Sequence, residues 1–594
     1  MSCSANSLCI RAALLGAAIL ASFAAPAQTT AQSCPADRTG LRLPAGFCAT
    51  IFADRIGHAR HLVVAPNGVV YVNTWSGRYY GNAAPPKGGF LVALQDTTGG
   101  GTADVNQRFG ETVRSGGAGG TGIGLYKGAL YAEINDKIVR YPLGEESNVP
   151  REPAQTIVSG LPLRGDHPMH PFAIDADGFL YVDVASATNS CQPKNRIAGS
   201  AGAQPCKELE TRGGIWRYDA NRIGQTFSPA ERYATGIRNG EGFGVDSAGH
   251  RLFLTQHGRD QLRSNWPNLY KPDEEATLPA EELLQLQQGG DYGWPECYYD
   301  PFRRELVLAP EYGGDGGKKV GPCADKIAPI AAFPAHWAPD GMVFYDKDQF
   351  PGRYRGGVFI AFHGSWNRAP YPQSGYNVVF QSLAGDRAGD HCEVFADGFA
   401  GAEKSPDKAA HRPTGIATGP DGALYVSDDV RGRIYKIVYR GGPGSGGDPK
   451  ITACPSATAD AGDVSVAGAL PPEGIHPDAG AAAADTAALP VPRGTTKEMV
   501  ALGDRIYHGQ VGGAACTGCH GAAGTGTALG PDLTDKTWLW SDGSYEGIAK
   551  TITDGVMQPK QFRSPMPPKG GALLSAEQVS AVAAYVWAIS HRGN

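Results

Sequence analysis

Six stretches of the chain share one pattern, in which apolar and polar residues alternate with a period of two on both sides of a glycine turn. Each stretch predicts a strand, a tight turn and a returning strand. The stretches are VVAPNGVVYVNT, IGLYKGALYAEI, FAIDADGFLYVDV, FGVDSAGHRLFLTQ, YRGGVFIAFHG and IATGPDGALYVSDD, with turn glycines Gly68, Gly128, Gly178, Gly249, Gly357 and Gly422.

The spacing of these hairpins, 50 to 108 residues, indicates radial repetition. We therefore predict an all-β, six-bladed β-propeller over residues 34–440. A pair of β-sandwiches is the alternative, but it would not explain six similar hairpins. The longest gap lies between the fourth and fifth hairpins and predicts an insertion at about 260–330, which is rich in Asp, Glu, Pro and aromatic residues.

The pattern changes after residue 440. Residues 441–493 are mostly Gly, Ala, Pro and Asp, which predicts a flexible linker with a root-mean-square span of roughly 40 Å. From residue 494 the apolar residues recur at helical spacing, in TKEMVALGDRIYHG and again at 575–590, where Ser575 is a candidate N-cap. Residues 494–594 therefore predict a small all-α domain.

Residues 1–27 predict a secretory signal peptide. Arg11 precedes the apolar run AALLGAAILASFAA, and Ala25 and Ala27 occupy the small-residue positions of a cleavage site. A retained membrane anchor is the alternative, although the run is short for a bilayer. We expect an exported protein without stable membrane insertion, located in a bacterial periplasm.

Composition agrees with a turn-rich β protein. The chain has 594 residues with 82 Gly, and charged residues make up 19%. Net charge is -6 and no basic run occurs, so nucleic acid is not an expected partner.

Eight of the twelve cysteines are candidates for disulfides. Cys3 and Cys9 lie in the predicted signal peptide, and Cys516 and Cys519 belong to a separate C-x-x-C-H motif. An even number in an oxidising compartment predicts four disulfides, for which 105 connectivities exist. Pairing of neighbours is the simplest hypothesis: 34–48, 191–206, 297–323 and 392–454. A metal site is the rival interpretation, but these eight cysteines contain no C-x-x-C spacing.

Cys516, Cys519 and His520 form C-x-x-C-H, the attachment motif of a c-type haem. The cysteines form thioethers and His520 is one axial ligand of the iron. The candidates for the sixth ligand are Met557 and Met566. This region resembles class I cytochromes c, whose distal loop carries Met-Pro before the last helix, and SPMPPKGGALLSAEQ matches that loop at Met566. Pro531 resembles the proline that packs beside the haem histidine.

Polar residues cluster where each inner strand begins and each returning strand ends, which places them at one mouth of the propeller channel. Arginines and histidines suit a flat polyanionic ligand, because Arg pairs bidentately with carboxylates. A neutral histidine there is a candidate general base. These residues are Arg60, His61, Thr121, His167, His170, Ser186, Arg238, Asn239, His257, Arg259, Asp260, His336, Asp340, His363, Trp366, Arg368, Arg412 and Thr414.

The propeller resembles the soluble quinoprotein sugar dehydrogenases, most of all the L-sorbosone dehydrogenase branch that includes pyranose dehydrogenases. The passages that carry the resemblance are HPMHPFAIDADGFLYV, TGIRNGEGFGVD, GGDYGWPECYY, AHWAPDGMVFYDKDQFPGRYRGGVFIAFHGSWNR and RPTGIATGPDGALYVSDD. The resemblance implies a six-bladed propeller that binds pyrroloquinoline quinone (PQQ) with Ca²⁺ at one mouth. It also implies oxidation of the C1 hydroxyl of sugars or of related carbonyl hydrates.

The resemblance implies specific roles for individual residues. His167 falls on the catalytic base. The quinone and its carboxylates are expected to contact Arg238, Asn239, His363, Arg368 and Arg412, and the backbone carbonyls of Gly258 and Arg259 are expected to bind Ca²⁺. Four positions depart from the family pattern: Thr414 replaces a second arginine, Arg259 replaces a proline, Ser186 replaces an aspartate that orients the base, and His170 replaces Arg or Gly.

Together these features predict a periplasmic quinohaemoprotein that oxidises a sugar or sugar-derived aldehyde with PQQ and passes electrons to its own haem c. A periplasmic cytochrome or oxidase is the expected downstream acceptor. A propeller that merely docks the cytochrome on a partner is the first alternative. A catalytic haem is the second, but it needs an open iron site or a second haem, and the chain has one C-x-x-C-H.

Overall fold

The fold is given by a computed structural model, which carries no ligands. The predicted signal peptide lies outside the described residues. The structure describes residues 38–75, 87–111, 119–144, 147–196, 198–246, 249–271, 273–365, 367–368, 371–404, 409–441, 452–455, 486–509, 516–521, 523–526, 530–556, 558–562, 566–572 and 574–592, and the single residues 34, 406, 458, 511 and 514.

Six antiparallel sheets form the blades of a propeller, as the hairpin pattern predicts. Blade 1 holds β2 (His58–Val64), β3 (Val70–Trp75), β4 (Leu91–Gln95) and β5 (Val105–Phe109); blade 2 holds β6 (Gly119–Tyr126), β7 (Ala129–Ile134), β8 (Lys137–Pro142) and β9 (Gln155–Ser159), joined by the short parallel β13 (Gln225–Thr226); blade 3 holds β10 (Phe172–Ile174), β11 (Phe179–Val184), β12 (Gly214–Asp219) and β14 (Arg232–Thr235).

Blade 4 holds β15 (Gly240–Val245), β16 (Leu252–Gln256), β17 (Glu281–Leu286) and β20 (Ala331–Phe333); blade 5 holds β21 (Pro339–Phe344), β22 (Val358–Phe362), β23 (Asn377–Ala384) and β24 (Arg387–Ala396); blade 6 holds β25 (Pro413–Thr418), β26 (Leu424–Asp428), β27 (Arg433–Tyr439) and β1 (Phe47–Ala53). The inner strands β2, β6, β10, β15, β21 and β25 contact one another in sequence around a closed ring.

The amino-terminal strand closes the ring, because β1 pairs with β27 of the last blade. Large apolar and aromatic side chains fill the space between blades, as in the blade 5–6 seam, where the ring of Phe47 packs edge-on against Phe350 and Phe395. Alternation along each strand directs its side chains to the two neighbouring blades in turn. Both faces of strands such as β7 and β22 are therefore buried, and their sequences are nearly continuous apolar runs, which corrects the predicted alternation of apolar and polar residues.

The predicted insertion at 260–330 needs a correction. Part of it, β17, is the third strand of blade 4 itself. The remainder holds two short helices, α1 (Leu262–Asn265) and α2 (Glu274–Thr277), and a separate hairpin of β18 (Cys297–Asp300) and β19 (Glu305–Leu308). Short 3₁₀ segments lie at Lys207–Glu210, Pro229–Glu231, Pro310–Tyr312, Gly321–Asp325, Gly352–Tyr354 and Pro568–Gly571.

All four neighbour pairings of the cysteines are confirmed: 34–48, 191–206, 297–323 and 392–454. The last disulfide changes the extent of the linker. Cys454 is bonded to Cys392 of β24, and the backbone of Thr452 and Cys454 pairs with the same strand. Residues 452–454 are thus attached to blade 5.

The carboxyl-terminal region is helical, as predicted. Its helices are α3 (Lys497–Tyr507), α4 (Cys516–His520), α5 (Tyr545–Asp554) and α6 (Ala576–Ser590). Ser575 caps α6 in a reciprocal capping box with Gln578. A Cβ on Gly503 would lie 2.0 Å from the carbonyl oxygen of Ala581, so only glycine allows α3 and α6 to cross this closely.

The helical core also includes residues that the sequence pattern assigned to the linker. Leu489 is buried against the α3–α6 core, and Val491 packs on it. The predicted linker at 441–493 is therefore shorter at both ends, and its central part, 459–485, lies outside the described residues. No helix within the described ranges has the length and apolarity needed to cross a membrane.

Candidate functional site

One cleft with an empty volume of about 810 Å³ lies at the channel mouth and brings together residues of several blades. We call it the mouth cleft. Of the residues predicted to act on the cofactor or substrate, it is lined by His167, Arg238, Asn239, Gly258, His363 and Arg412. Trp366, from the predicted ring, lies outside the described residues.

Bulges in the inner strands place a second set of side chains in the channel. In five blades, a β-bulge shifts the pairing register between the inner strand and the second strand. A bulge re-aims the extra side chain. The re-aimed and buried residues are Arg60, Thr121, Glu241, Asp340 and Thr414.

Hydrogen bonds fix the tautomer of the candidate base. The imidazole Nδ1 of His167 lies 3.0 Å from both the carbonyl oxygen and the Oγ of Ser186. The Ser186 hydroxyl donates its proton to the carbonyl of Thr188 at 2.7 Å. Since both nearby oxygens can then only accept, Nδ1 carries the proton and Nε2 carries the lone pair. Ser186 thus orients the imidazole of His167 without adding a charge.

The surroundings of His167 keep its imidazole neutral. Burial, followed by the positive charges of Arg238 and Arg196, holds the pKa of His167 well below its ordinary value of 6.5. A half-buried neutral histidine with a free lone pair is suited to accept a proton from a substrate hydroxyl.

Arg238 is held at the cleft wall by three different partners. Its guanidinium donates to the Asp260 carboxylate at 2.7 Å, to the Gly258 carbonyl at 2.9 Å and to the Asn189 side chain at 3.0 Å. Arg196 donates to the same carboxylate at 2.9 Å. Although burial opposes it, the charges of Arg238 and Arg196 hold the pKa of Asp260 below its ordinary range.

The turn at 258–260 approaches blade 4 closely. A Cβ on Gly258 would lie 2.9 Å from Pro279 Cγ, so glycine is required here, and the Gly258 amide donates to the Glu281 carboxylate at 2.9 Å. The side chain of Arg259 points away from the mouth cleft. Its guanidinium pairs with buried Glu311 and donates to the carbonyl of Asp260 at 3.0 Å.

Arg60 forms a buried network with three carboxylates, and Arg60, Glu241 and Asp340 of this network line the cleft. Arg60 and Asp340 were predicted at the channel mouth, whereas Glu241 and Asp429 were not. Arg60 lies 3.0 Å from Asp429, 3.1 Å from Asp340 and 3.4 Å from Glu241. Burial raises the pKa of Glu241 to about 7, with Arg60 opposing this shift and Asp340 adding to it. Glu241 lies two residues after Asn239 in RNGEGFG, and this proximity in the chain was the one available signal.

Two histidines that line the cleft contact the carboxylates of this network. His257 Nε2 lies 3.2 Å from Asp340, and although burial opposes it, this contact raises the pKa of His257. His363 Nε2 lies 3.0 Å from Asp429, and its Nδ1 lies 3.6 Å from Asp340. His363 therefore faces two carboxylates, which its predicted contact with the quinone did not anticipate.

Arg412 and Arg368 differ in position although both were predicted to hold the cofactor. Arg412 lines the cleft and donates to the His363 carbonyl at 3.1 Å. Arg368 is fully buried, and its guanidinium donates to the carbonyls of Pro372 and Ala276, at 2.8 and 2.9 Å. Arg368 therefore supports the loop behind the cleft and does not line it, which corrects the prediction.

Two of the departures from the family pattern also have structural explanations. The Thr414 hydroxyl donates to the carbonyl of Arg412 at 3.2 Å, so it stabilises that loop. His170 is completely buried outside the cleft lining, with its Nδ1 3.3 Å from Glu133 and its Nε2 3.0 Å from the carbonyl of Pro162. It belongs to the seam between blades 2 and 3.

The cleft residues fit the cofactors that the resemblance implies. Asn239 Oδ1 is buried, lines the cleft and has no partner among the described residues, so an acceptor is available there. The Gly258 carbonyl and the carboxylates of Asp260 and Glu281 are near the 258–260 turn in the cleft, and oxygens of these kinds are the ligands that Ca²⁺ prefers. The Gly258 carbonyl also accepts from Arg238. Within the described ranges, no group of three His, Cys, Asp or Glu side chains is placed to hold a metal ion. Arg238 and Arg412 supply cationic donors for carboxylates.

A second cavity lies in the helical domain and has an empty volume of about 1030 Å³. Cys516, Cys519, His520 and Met566 all line it, while Met557 lies outside the described residues. The remaining wall is largely apolar and includes Leu533, Ile548, Val582 and Val586, among others. Within the described ranges, neither cysteine is part of a disulfide.

His520 is oriented for metal ligation. Its Nδ1 lies 3.0 Å from the carbonyl of Pro531 and donates to it, which leaves Nε2 free to face the cavity. A backbone carbonyl on the second nitrogen is the usual partner of a ligating histidine. Met566 is placed by a two-way backbone bridge with Val556, at 2.8 and 2.9 Å.

Comparisons with known proteins divide the chain in the same way. A family model described as TrAA12-like matches residues 41–440. A model described as cytochrome c oxidase, cbb3-type, subunit III matches residues 500–586.

Curated relatives match the propeller in part. The chain is 24% identical over 279 residues to an aldose sugar dehydrogenase, YliI, of Escherichia coli, covering 46% of this chain and 61% of that protein. It is 27% identical over 242 residues to a pyrroloquinoline quinone-dependent pyranose dehydrogenase of Coprinopsis cinerea, covering 35% and 31%. The matches thus span less than two thirds of either relative.

A solved structure of a Trichoderma reesei carbohydrate-active enzyme of family AA12 is similar to the propeller. It superposes with a TM-score of 0.53 at 18% identity and covers 68% of this chain and 98% of that one. This likeness shows the fold.

Proposed function

Because this chain belongs to the TrAA12-like family, we propose that it is a PQQ-dependent sugar dehydrogenase that passes electrons to its own haem c. The observation that carries the proposal is the mouth cleft, where a neutral His167 with a free lone pair lies beside a fixed Arg238. The relatives named as sugar dehydrogenases support the substrate class. The finer choice, an aldose or a sorbosone-like aldehyde, follows the resemblance of the propeller passages.

Each cofactor has residues that would hold it. Arg238, Asn239, His363 and Arg412 line the part of the cleft that would hold PQQ. The carbonyls of Gly258, which lines the cleft, and of Arg259, which follows it in the turn, would bind Ca²⁺ as the resemblance implies. Cys516, Cys519, His520 and Met566 would hold haem c. When bound, PQQ supplies a two-electron acceptor, Ca²⁺ a Lewis acid and haem c a one-electron acceptor.

The chain's own residues carry the proton chemistry. His167 Nε2 accepts the proton of the substrate C1 hydroxyl, while Nδ1 remains bonded to Ser186 and keeps the ring in place. Arg238 provides a positive charge that is already paired and positioned, so little reorganisation is needed when negative charge develops in the cleft. Met566 would supply a thioether ligand to the haem iron together with His520, and such a ligand pair would favour electron transfer over the binding of small molecules.

We also propose that the protein is exported to the periplasm and donates to a periplasmic cytochrome or oxidase. Four disulfides support an oxidising compartment. The export signal itself would lie in residues 1–27.

The proposal is tested by haem absorbance. Full-length protein is loaded with PQQ and Ca²⁺, and aldoses and ketoaldehydes are added without oxygen. We expect haem reduction in the wild type, and a loss of roughly 10²–10⁴-fold in its rate for His167→Ala, the usual effect of removing a general base. The haem spectrum should not change, because the substitution lies in the propeller.

His250→Ala is the matched control, since His250 is exposed in the turn at the opposite end of blade 4. It should reduce haem at the wild-type rate. Haem that stays oxidised in the wild type with every sugar tried would refute the proposed function.

A further inference from the structure

The loop that follows β11 contains a buried asparagine with no role in the scheme above. Asn189 is completely buried, and its backbone N–H donates to Asn195 Oδ1 at 2.9 Å. The disulfide between Cys191 and Cys206 lies directly after it. The loop backbone is also held by Glu208, which accepts from the amide and hydroxyl of Thr188 at 3.1 and 2.7 Å. Asn189 is therefore a rigidly mounted side chain.

The side-chain amide of Asn189 forms two hydrogen bonds to the backbone of Asp260, in the 258–260 turn. The Asp260 amide donates to Asn189 Oδ1 at 2.9 Å, and Asn189 Nδ2 donates to the Asp260 carbonyl at 2.9 Å. The orientation of the amide is unambiguous, because the Asp260 N–H can only donate and its carbonyl can only accept. A planar group with a donor and an acceptor on fixed sides sets both the position and the tilt of the turn.

The same amide oxygen also holds Arg238. Arg238 Nη2 donates to Asn189 Oδ1 at 3.0 Å, Nε donates to the Asn189 carbonyl at 3.3 Å, and Nη1 donates to the Gly258 carbonyl at 2.9 Å. Arg238 and the turn are thus joined to each other and to Asn189. A displacement of Asn189 would move both together.

We propose that Asn189 is a positioning residue that sets the geometry of the calcium-binding carbonyls of Gly258 and Arg259 and couples it to Arg238. This inference rests on the proposed function, since it concerns the metal and the charge that function uses. Asn189 acts on the metal through the turn and does not contact it. Partners that orient metal ligands in this way typically contribute 10–100-fold to metal affinity.

The test is the Ca²⁺ affinity of the full-length protein, measured by calorimetric titration of CaCl₂ with PQQ present. We expect Asn189→Ala to weaken Ca²⁺ binding by roughly 10–100-fold, with PQQ-dependent haem reduction partly restored at high CaCl₂. Asn189→Ser, whose hydroxyl can replace only one of the two bonds to Asp260, should show a smaller loss. It also keeps the test valid if the alanine variant does not fold.

Asn73→Ala is the matched control. Asn73 is also completely buried, and its amide donates to the carbonyls of Gly122 and Glu133 at 2.9 and 3.1 Å, joining blades 1 and 2 away from the cleft. We expect it to lower the melting temperature of the calcium-free protein about as much as Asn189→Ala does, without changing Ca²⁺ affinity.

Two results would overturn the inference in distinguishable ways. In the first, the wild type binds Ca²⁺ and oxidises sugar, but both Asn189 variants bind Ca²⁺ with an affinity within about twofold of the wild type. An Asn73→Ala variant that loses as much Ca²⁺ affinity as Asn189→Ala has the same meaning. Either outcome refutes only the role of Asn189. If the wild type neither binds Ca²⁺ nor oxidises any sugar, the proposed function fails and the inference fails with it.

Discussion

At the scale of single residues, Ser186 determines the tautomer of the candidate base. Because the Ser186 hydroxyl is committed to the carbonyl of Thr188, it accepts from His167 Nδ1 and leaves Nε2 unprotonated. A serine orients the imidazole as an aspartate would, but it adds no negative charge to stabilise the imidazolium. Arg238 and Arg196 further disfavour the charged form. His167 is thus a base that stays neutral in mildly acidic solution.

This arrangement predicts the pH dependence of sugar oxidation. The base must be deprotonated, so kcat/KM falls as the pH drops through the pKa of His167. Since that pKa lies well below 6.5, kcat/KM should stay constant from neutral pH to below pH 6.5. Ser186→Asp would place a carboxylate beside Nδ1, raise the pKa of His167 and move the acidic limb upward by roughly one to three pH units.

Ser186→Ala is the control for this shift. It removes the hydroxyl but keeps the backbone carbonyl that accepts from Nδ1, and it adds no charge. Its acidic limb should stay near the wild-type position in the same series of pH profiles. Equal shifts in both variants would show that Ser186 does not act through the charge state of His167.

At the scale of strands and helices, local patterns could be predicted and contacts between distant segments could not. The six hairpins, the haem motif and the Ser575 cap are all visible within a few neighbouring residues. The inner-strand bulges depend on how adjacent blades pack, so they cannot be predicted from the local sequence.

The acid network shows the limit of the sequence most clearly. Arg60 meets Glu241, Asp340 and Asp429 across separations of 181, 280 and 369 residues, and only ring closure brings them together. Arg368 is the opposite case, because its local sequence suggested a role that its contacts in the fold do not support. Its place in HGSWNR suggested the cofactor, but three carbonyls, those of Pro372, Ala276 and Ala335, hold its guanidinium behind the cleft.

The segment between α5 and α6 carries the predicted sixth ligand of the haem iron. Met566 is held by its backbone bridge to Val556 and lines the cavity with His520. We expect the oxidised protein to show a methionine-to-iron charge-transfer band, and Met566→Ala to lose it, lower the reduction potential and bind carbon monoxide. Optical spectroscopy and a potentiometric titration measure these changes. A variant with an unaltered band would assign the ligand to another residue.

At the scale of the whole molecule, the two domains are joined by a tether with fixed ends. Residues 452–454 are attached to blade 5 through the 392–454 disulfide, and residues from 489 onward belong to the helical core. The chain between Thr458 and Thr486 cannot span more than roughly 100 Å at full extension. The haem domain therefore stays near the propeller at an effective concentration on the order of a millimolar, which favours transfer within one chain.

The most direct test of the account is the rate of sugar-driven haem reduction at different protein concentrations. Protein loaded with PQQ and Ca²⁺ is mixed with a saturating sugar in a stopped-flow instrument, over a tenfold range of micromolar concentrations. We predict a first-order rate constant that does not depend on protein concentration. A rate constant that rises in proportion to concentration, or a haem that stays oxidised while an added dye is reduced, would contradict electron transfer from the propeller to the haem of the same chain.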